Sequence, residues 1–173
     1  MPRDILKTLK SEHEVLRELF AQMEATTDRS AKKRATLLEQ IETNLMPHAK
    51  WEEEVFYPAF AQRADRDGLQ THAEAVQEHR AVELTVLPDL KAADASSPDF
   101  AGRAKVLGEF VDHHATEEET TMFKMMRKLF SAEERADMDE QYEQWKSSAA
   151  STVVLTHAKV KSGDKAAIHS LNS

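Results

Sequence analysis

The chain has 173 residues, of which 40% are hydrophobic and 31% charged, and its net charge is −8. The absence of cysteine excludes disulfides, iron–sulfur clusters and thiol catalysis, and the negative charge argues against a general nucleic-acid binder. Only four glycines and five prolines stand among abundant helix formers, which predicts one all-α domain. No apolar run is long enough for a transmembrane helix or a secretory signal, so we expect a cytoplasmic protein without a nucleic-acid or membrane partner. The sequence leaves the oligomeric state open.

The first predicted helix runs from about Asp4 to Met23, with Asp4 capping its free N–H groups. Its inward stripe follows alternating spacings of three and four residues, which is typical of an amphipathic helix. The stripe consists of Leu6, Leu9, His13, Leu16, Phe20 and Met23. A histidine therefore occupies a position where an apolar side chain is expected.

A second helix is predicted from near Ser30, ending at Pro58 or within Gln62–Gly68. Pro47 lies inside this helix, which predicts a kink or local irregularity just before His48. The inward stripe is Leu38, Ile41, Leu45, His48, Glu52 and Val55.

The third helix is predicted to begin near Leu69 and to be bent or ended by Pro88, with a loop over Ala92–Ser97. Ser97 and Pro98 are typical of the start of a fourth helix. The inward stripe of the third helix is His72, Val76, His79, either Val82 or Glu83, and Val86. That of the fourth is Leu107, Val111, His114, Glu118, Met122 and Met125.

A capping box at Ser131–Glu134 predicts a shorter fifth helix from Ala132 to Trp145. We predict a four-helix bundle over residues 1–146 and a flexible tail over residues 147–173, because the composition there turns to Ser, Ala, Thr and Lys without a helical stripe. We interpret His157 and His169, in that tail, as non-ligands.

The inward polar residues repeat. His13 and His79, His48 and His114, and Glu52 and Glu118 are each 66 residues apart in the sequence. Core positions superpose at the same offset, so the chain reads as two copies of one helical hairpin. The repeat predicts a pseudo-two-fold axis through these residues. If they bind two metal ions, the simplest arrangement gives the histidines of each hairpin to one ion and shares both glutamates between the ions.

Four imidazoles and two carboxylates in a core would cost about 1–3 kcal/mol or more for each unsatisfied polar group. A bound dinuclear cation removes that cost, and without cysteine the ligands suit iron, manganese or zinc. The six residues are therefore our predicted metal ligands: His13, His48, Glu52, His79, His114 and Glu118.

The segments that carry these residues resemble the hemerythrin-like (HHE cation-binding) family. They are SEHEVLRELF, HAKWEEEVFYPAF, QEHRAVE and HHATEEETTMF, and the resemblance covers about Ile5 to Leu129. It implies an up-down-up-down bundle with two iron ions in an oxo- or hydroxo-bridged, non-haem di-iron centre. Ala75 stands where oxygen-carrying hemerythrins have a fifth histidine, which argues against reversible oxygen carriage and leaves a more open coordination sphere.

For several neighbours of the predicted ligands, the sequence leaves open whether they take part in metal binding. His113 with Glu117 is the alternative fourth-helix pair, although the repeat favours His114. Glu83 is an extra ligand or a polar neighbour, and Tyr57 lies near the open coordination face or simply packs. The residues interpreted as outside the coordination sphere are Glu53 and Glu119, as solvated or supporting groups, and His72, which is too far from His79 in a regular helix.

Four functions remain open at this stage. The first is binding or sensing of oxygen, nitric oxide or peroxide at an open iron site. The second is a di-iron enzyme that reduces or disproportionates hydrogen peroxide, and the third is iron handling or iron-centre repair. The fourth, a metal-free structural bundle, is disfavoured by the repeat.

Overall fold

The computed structural model describes residues 3–147, and in that range the chain forms five helices and no strand. Helix α1 is Ile5–Glu24, and a single 3₁₀ turn at Asp28–Ser30 leads into α2. Each of the next three helices contains one five-residue π-helical turn. Helix α2 consists of the α-helical segments Ala31–Trp51 and Tyr57–Arg63, separated by the π turn Glu52–Phe56. Helix α3 consists of Arg66–Ala81 and Leu87–Ala92, separated by the π turn Val82–Val86. Helix α4 consists of Pro98–Glu117 and Phe123–Leu129, separated by the π turn Glu118–Met122. Helix α5 covers residues 132–147.

The helices form an up-down-up-down bundle. Helix α1 packs against α2 and α4, and α3 packs against the same two helices from the other side. The short connections place consecutive helices as antiparallel neighbours, as in other four-helix bundles. None of the described helices is long and apolar enough to cross a lipid bilayer.

The predicted caps are confirmed. Asp4 accepts a hydrogen bond from the N–H of Leu6, and Ser97 accepts one from the N–H of Phe100. In the capping box, the Ser131 hydroxyl accepts from the Glu134 N–H while Glu134 accepts from the Ser131 N–H. These side chains satisfy N–H groups that have no partner within their own helix.

Pro98 begins a helix as predicted, whereas Pro47, Pro58 and Pro88 do not mark helix bounds. The predicted irregularity just before His48 was wrong in position, because α-helical structure continues through Pro47 to Trp51 and the π turn begins at Glu52. Helix α2 ends at Arg63, within the predicted segment Gln62–Gly68 and not at the alternative Pro58. Helix α3 begins at Arg66 and continues past Pro88 to Ala92. Pro58 and Pro88 each stand just after a π turn, at the start of the next α-helical segment, where the N–H that proline lacks is least needed.

Two apolar clusters fill the bundle, one towards each end. One contains Leu9 and Phe123, together with Tyr142 from α5, and the other contains Leu16 and Val111. Of the methionines predicted on the inward stripe of the fourth helix, Met122 is fully buried in the first cluster and Met125 packs against that cluster, partly buried. His13 lies on α1 between Leu9 and Leu16, so the polar residues of the core lie between the two clusters. The predicted tail lies outside the described residues from position 148 onward, and with it His157 and His169.

Candidate metal centre

The four bundle helices bring all six predicted residues together in the core. Each is at most 9% exposed to solvent. Helices α1 and α3 each contribute one histidine, and α2 and α4 each contribute a histidine and a glutamate one turn apart on the same face. The residues are His13, His48, Glu52, His79, His114 and Glu118.

The first group of ligand-type atoms comes from both hairpins. The Nε2 atoms of His13 and His48 lie 3.1 Å apart, and Glu52 Oε1 is 3.1 Å from His48 Nε2. Glu118 Oε2 is 3.3 Å from His13 Nε2. Two ligands of one metal ion at about 2.1 Å, set at right angles, lie about 3.0 Å apart, so these separations suit one ion.

The second group lies beside the first. The Nε2 atoms of His79 and His114 are 3.0 Å apart, and the other oxygen of Glu52, Oε2, is 3.6 Å from His79 Nε2. Glu118 Oε2 is 3.8 Å from His114 Nε2. The histidines thus pair as the repeat predicts, and Glu52 directs one oxygen to each pair.

Each buried histidine also has its own glutamate on the far side of the ring. The Nδ1 atoms lie 3.1, 2.8, 3.0 and 2.7 Å from carboxylate oxygens, in the pairs His13–Glu119, His48–Glu12, His79–Glu53 and His114–Glu78. These pairs obey the 66-residue repeat. A carboxylate on Nδ1 holds the proton there, orients the ring and makes Nε2 a better electron-pair donor, as is usual for metal-binding histidines.

In the form of the centre that binds metal, the unshared electron pairs of the ligand atoms point towards one another. Each imidazole is neutral in that form, is protonated at Nδ1 and presents an unprotonated Nε2 to its neighbour. Both oxygens of Glu52 and Glu118 Oε2 are buried without a hydrogen-bond partner in the described part of the chain. Unpaired buried carboxylate oxygens are costly, and cations compensate them, so the residues present fit a bound metal ion.

Metal-free, the centre also shifts the pKa values of its members. Burial and the neighbouring charge of Glu118 raise the pKa of Glu52. Burial lowers the pKa of His48, but the charge of Glu52 and the hydrogen bond to Glu12 outweigh it and raise this pKa to about 10. For His79, burial and the nearby His114 lower the pKa to about 3. The pKa of His114, the counterpart of His48 in the repeat, is raised as well, because the charge of Glu118 and the hydrogen bond to Glu78 outweigh burial.

Tyr57 is the main addition to the predicted site. Its hydroxyl donates to Glu118 Oε1 at 2.9 Å and lies 3.2 Å from His79 Nε2 and 3.3 Å from His114 Nε2. Burial and the charge of Glu118 raise the pKa of this hydroxyl well above its ordinary value, so the metal-free protein keeps it protonated. The sequence left the role of Tyr57 open, because an inward tyrosine at a helix end more often serves packing.

The π turns lie at the centre itself. Those of α2 and α4 begin at Glu52 and Glu118, and that of α3 begins three residues after His79. The N–H of Tyr57 donates to the carbonyl of Glu52, one residue further back than in an α-helix. This wider turn places both residues at the centre. Single π turns occur frequently at functional sites.

The remaining candidates lie outside the centre. His113 is 61% exposed and Glu83 is exposed, so the fourth-helix residue in the core is His114. His72 packs against Tyr57 with the two rings nearly perpendicular and their centroids 5.9 Å apart. Sequence reasoning missed the supporting role of Glu12 and Glu78, although each directly precedes a predicted histidine; it gave Glu53 and Glu119 only as one of two options.

Known proteins resemble this chain in family and fold. The family model of the hemerythrin HHE cation-binding domain matches residues 4–126. The crystal structure of a hemerythrin HHE cation-binding domain-containing protein from Mycobacterium kansasii superposes with a TM-score of 0.70 at 24% identity, over 87% of this chain and 91% of that one. A DNA nickase from Nostoc sp. strain PCC 7120 is 29% identical over 143 residues, which are 82% of this chain and 37% of the nickase. This chain therefore spans little more than a third of that relative.

Proposed function

This chain belongs to the hemerythrin HHE cation-binding domain family, and on that premise we propose that its core holds two iron ions and binds a small ligand, namely oxygen, nitric oxide or peroxide. The observation that carries the proposal is the division of Glu52 between two histidine pairs. Its two unpaired, fully buried oxygens lie 3.1 Å from His48 Nε2 and 3.6 Å from His79 Nε2. Carboxylates that direct one oxygen to each of two positions suit a dinuclear site.

The assigned ligands are those of the sequence prediction. His13 and His48 hold the first ion, His79 and His114 hold the second, and Glu52 and Glu118 are shared. Bound iron would supply a Lewis-acidic and redox-active position for the small ligand. The surrounding glutamates Glu12, Glu53, Glu78 and Glu119 keep the Nδ1 protons in place and orient the rings.

A small ligand has an approach to the first ion. A groove of about 700 Å³ between α1 and α4 reaches His13, and Phe20 and Val111 contribute apolar lining. Arg17 stands at this groove, where it donates to Asp112 and Glu119. The second ion is flanked by the Tyr57 hydroxyl instead. We therefore assign ligand binding to the ion of His13 and His48.

The first experiment is metal analysis of protein expressed in iron-rich medium. We expect about two iron ions per chain, near-ultraviolet absorption from the oxidised centre, and spectral changes when nitric oxide or peroxide is added. One ion or none per chain, or stoichiometric zinc under the same conditions, would contradict the proposal.

A second candidate function is the reduction or disproportionation of hydrogen peroxide, and Tyr57 favours it. In this function the peroxide would bind at the ion of His79 and His114 rather than at the first ion. Cleavage of its O–O bond requires protons, and the buried Tyr57 hydroxyl, 3.2 and 3.3 Å from the Nε2 atoms of those two histidines, is the proton donor there. Tyr57→Phe should then slow peroxide consumption while iron content and nitric oxide binding persist. Tyr142→Phe removes a hydroxyl that bonds Glu12 instead, so it is the matched control. Equal peroxide turnover in wild type and Tyr57→Phe would eliminate a proton-donor role.

The nickase likeness does not lead us to propose a DNA substrate. Binding to DNA depends on basic side chains that neutralise phosphates, and the net charge of this chain is −8.

A further inference from the structure

A second set of metal-type ligands lies on the surface between α3 and α4. His113 Nε2 is 3.5 Å from Glu78 Oε1 and 3.8 Å from Glu117 Oε1, and the ligand atoms of the three residues lie within 4.8 Å of one another. Ligands at about 2.1 Å from one ion in tetrahedral geometry are about 3.4 Å apart, so small side-chain movements would let all three bind the same cation.

The corresponding face of the first hairpin differs. At the 66-residue offset, Glu78 matches Glu12, but Pro47 and Trp51 stand at the positions of His113 and Glu117. Neither can bind a metal ion. The α5 helix covers that face, where Tyr142 packs on Trp51 with ring centroids 4.6 Å apart.

The two matching carboxylates accordingly have different partners. Glu12 accepts hydrogen bonds from Tyr142 at 2.6 Å and from Lys146 at 2.7 Å, so its negative charge is already compensated. Glu78 lies instead beside His113 and lines a surface groove with Glu74 and Gln77. A cation can therefore reach Glu78 from solvent.

Glu78 also connects the surface with the core. Its Oε1 atom lies near His113, while its Oε2 atom is 2.7 Å from Nδ1 of His114. The histidines of this half, His79 and His114, are 8% and 9% exposed, against 2% and 3% for His13 and His48. The second half of the centre thus lies nearer to solvent, on the side of the surface cluster.

We propose that Glu78, His113 and Glu117 bind one divalent transition-metal cation, and that this surface site supplies the ion of His79 and His114. One nitrogen and two carboxylate ligands suit Fe²⁺, Mn²⁺, Co²⁺ or Zn²⁺. The supply role rests on the proposed function, whereas the surface site stands without it.

Calorimetric titration of the metal-free full-length chain with Co²⁺ tests the surface site. Wild type should bind three ions per chain, and His113→Ala/Glu117→Gln should bind two. Glu109 is an exposed residue of α4, two turns before Glu117. Glu109→Gln is therefore the matched control and should keep three ions. Glu52→Gln should lose the two core ions and keep one, which His113→Ala then removes. Loss of no ion in the His113→Ala/Glu117→Gln variant would overturn the surface site, while failure of core binding alone would leave the surface ion measurable.

Stopped-flow mixing of metal-free protein with Fe²⁺ tests the supply role. In His113→Ala/Glu117→Gln, the second core ion should enter several-fold more slowly, with the same final core content and an unchanged rate for the first ion. Equal rates for the second ion in wild type and the variant would overturn this role.

Discussion

At the scale of single residues, the carboxylates that contact Nδ1 of the histidines support the metal-binding side chains. Glu119 illustrates this, since it contacts His13 across the bundle and is itself held by Arg17 at 2.7 Å. Its pKa is lowered, because the hydrogen bonds from Arg17 and His13 outweigh the opposing effect of burial. A charged carboxylate in this position makes His13 a stronger ligand.

Glu119→Gln should therefore weaken the affinity of the first ion by about 10–100-fold, the usual effect of losing such a partner. The second ion should be affected much less, because Glu53 and Glu78 support its histidines. Competition with a chelator measures both affinities. Glu83→Gln, at an exposed position of α3, is the control, and unchanged affinity in Glu119→Gln would mean that Glu119 is a merely solvated neighbour.

Glu52 is the residue whose replacement should affect both ions. Glu52→Gln is nearly isosteric but removes the charge, so we expect both ions to be lost together, whereas His13→Ala should weaken mainly the first. Iron per chain for each variant is the measurement. Glu54→Gln, at a half-exposed position two residues after Glu52, should keep both ions. If Glu52→Gln retained one ion at full occupancy, the glutamate would not be shared.

At the scale of helices, the π turns are one-residue insertions into otherwise regular α-helices. The π turn Glu52–Phe56 adds a residue between the ligand Glu52 and the packed aromatic residues Phe56 and Tyr57. Helical structure resumes after it with the core face still directed inward. A residue of the insertion can therefore be removed without turning the rest of the helix.

Deletion of Glu54 should accordingly convert the π turn to α-helix and leave a cooperatively folded protein with a somewhat lower melting temperature. Deletion of Thr43, in the regular part of α2, should turn every later residue of the helix by about 100° and carry His48 and Glu52 out of the core. Circular dichroism melting compares the two. A Glu54 deletion as damaging as the Thr43 deletion would contradict this interpretation of the π turn.

At the scale of the whole molecule, the polar centre separates two apolar clusters, so metal binding and folding should be coupled. Metal ions bind the folded centre and stabilise it, by about 2.7 kcal/mol when free metal is at 100 times its dissociation constant. The ligands must be deprotonated, so this stabilisation is present near neutral pH and is lost as falling pH protonates the imidazoles.

We therefore expect holo protein to melt above metal-free protein at neutral pH, and the difference to vanish in mild acid as metal leaves. Differential scanning calorimetry with and without metal, over a series of pH values, measures this. Glu52→Gln should melt at the same temperature with and without added metal when the surface site is also removed. Equal melting temperatures for wild-type holo and metal-free protein would show that the core polar cluster is satisfied without metal.

The sequence by itself determined what repeats along a helix. The inward stripes, the caps at Asp4, Ser97 and Ser131 and the 66-residue repeat all depend on spacing within one helix or between two copies of it. Helical periodicity places one set of residues on the inner face. For that reason the six core residues and the bundle could be predicted before any contact was known.

Only the tertiary structure decided which side chains support the six core residues from other helices. His13 and Glu119 are 106 residues apart in sequence, and no periodicity relates a residue to its partner on another helix. The same holds for Tyr57 at Glu118 and for Lys146 at Glu12. The positions of the π turns could not be read from the prolines either. Pro47 lies within regular α-helix, whereas the π turn at Glu118 has no proline nearby. Local sequence fixes which face of a helix is inward, whereas packing decides what that face contacts.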